Sequence, residues 1–199
     1  MLSSYTGVIL AGGLNSRFSG ANKAFMQIGG KRILDHIYDV FVELFEEIIL
    51  VTNDPLKYLG WNLKIVTDIY SSRSSLTGVH AGLFYATGSH VFITACDTPF
   101  LKKDLVEALI RAALPQTDIV IPETRSGREA LCAVYSKRCL KRIENQLEKN
   151  DYKIQRFFNK VRVINISENE LRAIDPELIS FFNVNTPFAF EKAKEMKTG

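Results

Sequence analysis

Short apolar runs alternate with amphipathic helical stretches along most of this chain, and this alternation constrains the fold more than any other sequence feature. Five runs have the length and composition of buried strands, at residues 8–11, 48–51, 63–67, 90–95 and 118–122. Apolar residues at helical spacing follow most of these runs. A chain built in this way predicts an α/β fold with a doubly wound, mostly parallel sheet and right-handed crossovers.

The remaining elements follow from the same patterns. Helical spacing marks four stretches, at residues 34–45, 76–84, 102–113 and 138–149, and the second of them is expected to start near Thr77 and Gly78. Two further strands are predicted at 130–135 and 162–166, with a polar loop at 125–128, a short helix at 168–172 and a final helix near the end. No repeat or linker interrupts the pattern, so residues 1–199 are expected to form a single domain.

Composition excludes several classes of protein. The formal charge of +3 is too small for a typical nucleic-acid-binding domain. The three cysteines are odd in number and lack C-x-x-C spacing, which argues against a disulfide framework or a zinc site and favours a reducing compartment. No apolar run approaches the roughly 20 residues of a membrane span. We therefore expect a cytoplasmic protein that binds neither nucleic acid nor membrane.

A glycine-rich turn follows the first predicted strand. Gly12 and Gly13 allow the backbone to turn sharply and to bring its N–H groups close to a ligand. Arg17 and Lys23 follow within a few residues, and this arrangement is typical of a site for phosphate oxygens. It matches neither the P-loop nor the dinucleotide fingerprint. The alternative is an ordinary strand-to-helix turn whose two cations are solvated.

Polar residues also follow three other predicted strands. Asn53, Asp68 and Asp97 are expected at the carboxyl edge of the sheet beside Gly12 and Gly13, where ligands of open α/β sheets bind. Asp97 lies between an apolar strand and Pro99, so its carboxylate is expected at the rim, where it would suit Mg²⁺ held jointly with substrate phosphates. The alternatives are helix capping by Asp97 and turn formation by Asn53 and Asp68.

Taken together, these residues form an ordered set of motifs. The set comprises Leu10, Ala11, Gly12, Gly13, Arg17, Phe18, Gly20 and Lys23, then Asp68, then Cys96, Asp97, Pro99 and Phe100, and finally Asn183, Asn185, Thr186 and Pro187. With these motifs in this order, the chain resembles the molybdenum cofactor guanylyltransferases, a family of the nucleotidyltransferase superfamily. The resemblance extends from residue 7 almost to the end of the chain.

The resemblance implies a Rossmann-like nucleotidyltransferase fold with three α/β/α layers. It also implies transfer of GMP from GTP to molybdenum-molybdopterin, with release of pyrophosphate and with Mg²⁺ as cofactor. Contacts with cofactor-synthesis proteins or with target molybdoenzymes are expected as well.

The resemblance further implies roles for individual residues. The first strand end (Leu10, Ala11, Gly12 and Gly13), Asn53 and Asp68 would hold the guanosine. Lys23 and Arg17 would act on the phosphates, and Asp97 would bind Mg²⁺. Asn183 and Asn185, with the basic loop at 125–128, are the candidates for binding the pterin.

The chain departs from the family pattern at several positions. Asn22 replaces the usual aspartate before the lysine, Ser74 and Ser75 replace a Gly-Pro pair, and Ala130 and Ala189 replace a family proline and aspartate. Two alternatives therefore remain open. One is a related nucleotidyltransferase that uses CTP or a sugar phosphate, and the other is a nucleotide-binding module without turnover. Cys96 is expected to be a packing residue rather than a nucleophile.

Overall fold

The protein is organised around one mixed β-sheet, seen in a computed structural model that describes residues 4–12 and 22–198. Gly13 and Arg17, which the sequence predicts to contact a ligand, lie outside the described residues. The strands are β1 (Tyr5–Leu10), β2 (Gln27–Ile28), β3 (Lys31–Arg32), β4 (Glu47–Val51), β5 (Lys64–Val66), β6 (His90–Ala95), β7 (Ile119–Thr124), β8 (Gly127–Arg128), β9 (Cys132–Ser136) and β10 (Val163–Ser167).

Six α-helices accompany the strands in the described residues, joined in places by short 3₁₀ turns. They are α1 (Ile33–Leu44), α2 (Ser75–Tyr85), α3 (Lys103–Arg111), α4 (Leu140–Leu147), α5 (Glu168–Ile174) and α6 (Pro187–Thr198). Within the part of the chain that the structure describes, no helix has the length and apolar character needed to cross a lipid bilayer.

The strand order of the main sheet is β10-β7-β9-β6-β1-β4-β5, with β8 paired to β7. Strands β5, β4, β1 and β6 run parallel, whereas β9 is antiparallel to both of its neighbours. Leu10 lies opposite both Val51 and Ala95, and Val51 lies opposite Val66. Four strands therefore end at one level, and the residues that follow them meet at a single edge.

Helices cover both faces of the sheet. Alternate strand residues point to opposite sides, so that Ile9 and Phe92 pack under α1 and α3 while Val8 and Ile93 pack under α2 and α4. Each fully buried aliphatic or aromatic side chain in these layers contributes about 1.5–3 kcal/mol to the free energy of folding. The predicted α/β/α arrangement with a mostly parallel sheet is confirmed.

Helix α2 lies unusually close to β1. A Cβ atom at Gly82 would fall 2.7 Å from Cγ1 of Val8, so only glycine permits this approach. The amino end of α2 is thereby brought to the same sheet edge as the strand ends. The expected start of this helix near Thr77 was wrong: α2 begins at Ser75, because the Ser74 side chain caps it and Thr77 completes a capping box.

Two other differences concern short elements. The predicted polar loop at 125–128 is the end of a small hairpin in which β8 pairs with β7. A second hairpin of β2 and β3 was not predicted, and its Ile28 packs in one cluster with Ile33 of α1 and Ala193 of α6. Each strand in that hairpin has only two residues, which is too short to give a periodic signal.

Candidate active site

The edge where the parallel strands end forms an open cavity of about 560 Å³. Most of the residues that the sequence singles out line it, and they are Leu10, Ala11, Gly12, Lys23, Asp68, Asp97, Asn183 and Asn185. A Cβ atom at Gly12 would meet no atom of the described residues within 4 Å, so this part of the chain leaves open space beside the Gly12 backbone. The cavity is large enough for a nucleotide-sized ligand.

Asp97, Lys23 and Asn185 form the polar centre of this cavity. The Lys23 ammonium donates to Asp97 Oδ2 at 3.0 Å and to Asn185 Oδ1 at 2.7 Å. Asp97 is only 9% exposed, and its carbonyl accepts from the Val184 amide at 2.8 Å. Residues that are distant in sequence are thus joined in one network, and the segment carrying Asn185 is fixed to the end of β6.

Asp97 does not cap the following helix. Helix α3 begins only at Lys103, and its N-terminal neighbour Lys102 provides no side-chain cap. The neighbouring threonine takes the turn-forming role instead, since Thr98 Oγ1 donates to the Ala95 carbonyl at 3.0 Å. The Asp97 carboxylate is therefore free to face the cavity.

One oxygen of the Asp97 carboxylate has no partner among the described residues. Oδ1 is buried and accepts no hydrogen bond from the described residues, while Oδ2 is held by Lys23. A buried carboxylate oxygen in this state is costly unless a ligand satisfies it. The described residues contain no cluster of three or more metal-binding side chains. A hard cation that takes one protein carboxylate and further oxygens from its substrate fits this donor set.

Asn53 and Asp68 act as a pair at the next two strands. Asn53 Nδ2 donates to Asp68 Oδ2 at 2.8 Å, and Asn53 Oδ1 accepts from the Asp68 amide at 3.3 Å. Asp68 lines the cavity, but Asn53 is not among the described residues that do so. The structure therefore places Asn53 behind Asp68, where one hydrogen bond holds the Asp68 carboxylate and the other holds its backbone amide.

Asn22 fills the place of the family aspartate with a specific set of contacts. Its Oδ1 accepts from the Ala24 amide at 3.0 Å and caps the 3₁₀ turn that carries Lys23. Its Nδ2 donates to the hydroxyl of Tyr58 at 2.8 Å, and that hydroxyl lies 3.5 Å from the Ala11 carbonyl. Burial is the main reason that the pKa of Tyr58 rises to about 12, so the phenol stays protonated. Asn22 thus connects Lys23 to the end of β1.

The start of α2 forms another part of the wall. Ser74, Ser75 and Gly78 line the cavity, and Ser74 caps the helix by accepting from the Thr77 amide at 3.1 Å. The two serines that replace the Gly-Pro pair therefore maintain an ordered helix start. Arg73, which sequence reasoning did not select, is exposed on the same wall. The sequence feature that could have indicated Arg73 is its position just before a helix N-terminus, where a cation adds to the attraction for anions.

No side chain among the described lining residues has the character of an activated nucleophile. Burial, together with the charge of the adjacent Asp97, raises the pKa of Cys96 to about 12, so its thiol is protonated near neutral pH. None of the three histidines is among the described lining residues. His36 and His90 contact backbone carbonyls, and His80 is buried between α2 and α4.

The basic loop at 125–128 does not reach the cavity within the described structure. Arg125 interacts with Glu168, with 3.7 Å between Arg125 Nε and Glu168 Oε1, and Arg128 Nε lies 3.4 Å from Glu123 Oε1. The residues just after this loop line the cavity instead, at positions 129–131. Sequence reasoning missed Glu129 because nothing in the local pattern indicates that this carboxyl faces the site.

Comparisons with known proteins agree with this geometry. Residues 7–164 match the family model described as the MobA-like NTP transferase domain. A molybdenum cofactor guanylyltransferase of Desulfosudis oleivorans is 46% identical over 97% of this chain and 96% of its own length. The chain belongs to the MobA-like NTP transferase family.

Other relatives support the same membership. A probable molybdenum cofactor guanylyltransferase of Natranaerobius thermophilus is 33% identical over 98% of this chain and 97% of its own. The crystal structure of molybdopterin-guanine dinucleotide biosynthesis protein A from Archaeoglobus fulgidus superposes with a TM-score of 0.84 at 25% identity, covering 97% of this chain and 98% of that one. The resemblance deduced from the motifs is confirmed, and the chain has the fold of a MobA-like nucleotidyltransferase.

Proposed function

We propose that this MobA-like protein transfers GMP from GTP to molybdenum-molybdopterin, forming molybdopterin guanine dinucleotide and pyrophosphate. The observation that carries the proposal is the joined group of Asp97, Lys23 and Asn185 at the sheet edge, in a chain whose relatives are named as guanylyltransferases. A buried carboxylate beside a fixed ammonium provides both a metal ligand and a counter-charge for a triphosphate.

The donor nucleotide is assigned to the strand ends β1, β4 and β5. Leu10, Ala11 and Gly12 line the cavity at the end of β1, and Asp68 offers a carboxylate held by Asn53. A fixed carboxylate suits the hydroxyl or amino groups of a nucleoside, because its acceptor oxygens are already oriented. Gly13 and Arg17 are proposed for the triphosphate on their sequence motif alone.

Asp97 is the residue proposed to hold Mg²⁺, through the oxygen that has no partner among the described residues. The chemistry that the ion supplies when bound is neutralisation of charge on the phosphates during transfer. Lys23 holds the other oxygen of Asp97 and would redirect its ammonium to the triphosphate when the nucleotide binds. The Asp97 carboxylate would therefore be paired with a positive charge both before and after the nucleotide binds.

The reaction itself requires no protein nucleophile. The acceptor's terminal phosphate oxygen forms a bond to the α-phosphorus of GTP as the bond to the β-phosphate bridge oxygen breaks, and pyrophosphate leaves. The attacking phosphate is already ionised, so the protein contributes mainly position and charge compensation. Lys23 compensates phosphate charge, and Asn185 Oδ1 accepts a hydrogen bond from its ammonium. The protonated Cys96 is a bystander.

We place the reaction in the cytoplasm. All three cysteines are unpaired thiols in the structure, and Cys132 and Cys139 are buried in the core. Unpaired buried thiols are typical of proteins that work in a reducing compartment.

A thermal-shift panel with GTP, CTP, UTP and ATP, each with and without Mg²⁺, tests the nucleotide half of the proposal. A ligand that binds only the folded protein raises the melting temperature, and it stabilises the fold by about 2.7 kcal/mol at one hundred times its dissociation constant. We expect the largest shift with GTP and a further rise with Mg²⁺.

A larger rise in melting temperature with CTP or another nucleotide would indicate that this nucleotide, and not GTP, is the donor. No shift with any nucleotide would favour a module without turnover. Formation of pyrophosphate from GTP in the presence of molybdenum-molybdopterin then tests the transfer step directly.

A further inference from the structure

Glu129 is an ionisable residue on the cavity wall that the proposed reaction does not use. It is half-buried, and in the part of the chain that the structure describes its carboxyl has neither a hydrogen bond nor a cationic partner. Burial accordingly raises the pKa of this carboxyl, with no neighbouring described group to offset the effect. A half-buried carboxyl on the wall of a ligand cavity, with no partner among the described residues, is available to bind the ligand.

The backbone around Glu129 is firmly held. Its amide donates to the Pro122 carbonyl at 3.0 Å, and its carbonyl accepts from the Cys132 amide, also at 3.0 Å. Two residues further on, the Leu131 carbonyl accepts from the Ala95 amide at 3.3 Å. These hydrogen bonds hold Glu129 close to the end of β6. The last residue of β6, Ala95, lies two residues before Asp97.

Glu129 lies on a different side of Asp97 from the nucleoside residues. In the sheet, β1, β4 and β5 lie on one side of β6, and β9 lies on the other. We call the first group, with Gly12, Asn53 and Asp68, the donor side, and residues 129–131 before β9 the acceptor side. With the nucleotide on the donor side, the acceptor side is the cavity wall beyond β6 that remains for the attacking substrate.

The chemistry of the acceptor matches a carboxylate. A pterin ring presents an N3–H and a 2-amino group side by side, and a carboxylate can accept both hydrogen bonds in parallel. We propose that the Glu129 carboxylate binds the N3–H and 2-amino edge of the acceptor's pterin ring and so selects an aminopterin as the acceptor. This inference rests on the proposed guanylyl transfer.

The test compares Glu129→Gln with wild type and with Glu46→Gln. The glutamine introduced by Glu129→Gln would keep the shape of the side chain but remove its charge and present an amide N–H₂ toward the pterin donors. Glu46 is an exposed glutamate just before β4, at the edge of the sheet away from the cavity, so its replacement makes the same change of charge outside the site. Three quantities are measured for each protein: the KM for molybdenum-molybdopterin, the Kd for GTP with Mg²⁺, and the Kd for metal-free molybdopterin by its pterin fluorescence.

We expect Glu129→Gln to raise the acceptor KM and the molybdopterin Kd by about tenfold or more, because charge-assisted hydrogen bonds are lost. Its Kd for GTP and all constants of Glu46→Gln should equal those of wild type. Unchanged acceptor binding in Glu129→Gln would overturn the inference. A loss of GTP affinity as large as the loss of acceptor affinity would also overturn the inference, because the carboxyl would then contact the nucleotide on the donor side.

The failure of guanylyl transfer itself has a separate signature. Wild-type protein that binds molybdopterin but releases no pyrophosphate from GTP would refute the proposed reaction, while the fluorescence titration would still decide the role of Glu129. Wild-type protein that does not bind molybdopterin at all would refute both.

Discussion

The donor and acceptor sides of the cleft are held in different ways. On the donor side, the Asp68 carboxylate accepts from Asn53 and the start of the Lys23 turn is tied to Tyr58 through Asn22. On the acceptor side, the Glu129 backbone is fixed by the sheet but its carboxyl has no partner among the described residues. The donor side is thus already organised for its ligand, whereas the acceptor side holds a half-buried carboxyl that no described residue orients.

Replacing Asp97, which lies between the two sides, should have the largest effect. Asp97→Asn keeps the size of the side chain but removes the charge that would hold Mg²⁺ and that pairs with Lys23. We expect kcat to fall roughly a thousandfold, equivalent to about 4 kcal/mol of transition-state stabilisation. Steady-state rates at varied Mg²⁺, with circular dichroism to verify the fold, check this. Turnover at the wild-type rate would remove Asp97 from the metal site.

A change on the donor side should affect one substrate only. Asn53→Ala removes both hydrogen bonds that hold Asp68, and we expect the Kd for GTP to rise about tenfold. The KM for molybdenum-molybdopterin should stay within about twofold, since nothing on the acceptor side is altered. Calorimetric titration with GTP and acceptor kinetics check both values. Equal losses of affinity for GTP and for the acceptor would show that the two substrates do not bind on separate sides of β6.

The smallest effect is expected from removing one hydroxyl behind the donor side. Tyr58→Phe leaves Asn22 Nδ2 without its partner inside the fold, which costs about 1–2 kcal/mol of unfolding free energy. The melting temperature should fall by about 2–8 °C for a chain of this size. GTP affinity should weaken by less than about threefold, because Asn22 still caps the turn of Lys23. Thermal melts and GTP titrations measure both effects, and a large loss of GTP binding without a loss of stability would contradict this account.

Much of the fold could be predicted from the sequence. The strand at 90–95 was predicted with the bounds it has in the structure, because a continuous apolar run is ended at once by polar residues and a proline. The start of α2 was misplaced because its capping box ends in Thr77 rather than in the more familiar Glu or Gln. The antiparallel direction of β9 could not be read from its own sequence, since a buried strand shows the same apolar run in either direction.

Less of the site could be predicted, because the contacts within it depend on side-chain directions. Strand-end residues such as Asp68 are indicated by chain order alone, because parallel strands end at one edge. That Asn53 stands behind Asp68 depends on side-chain direction, which the sequence does not carry. The role proposed for Glu129 depends on the pairing of residues 122 and 129 across a short hairpin, and that pairing is set by tertiary structure.

The strand order has a consequence for how such enzymes could diversify. Donor-side groups come from three separated strand ends, so a change of nucleotide requires coordinated substitutions far apart in the sequence. The acceptor-side wall is one continuous segment, residues 129–131, attached to a small surface hairpin. Replacement of residues 129–131 together would change the acceptor side in one step, while the nucleotide half and the Asp97 carboxylate stay intact. Proteins with the same sheet and the same nucleotide site could in this way transfer to different acceptors.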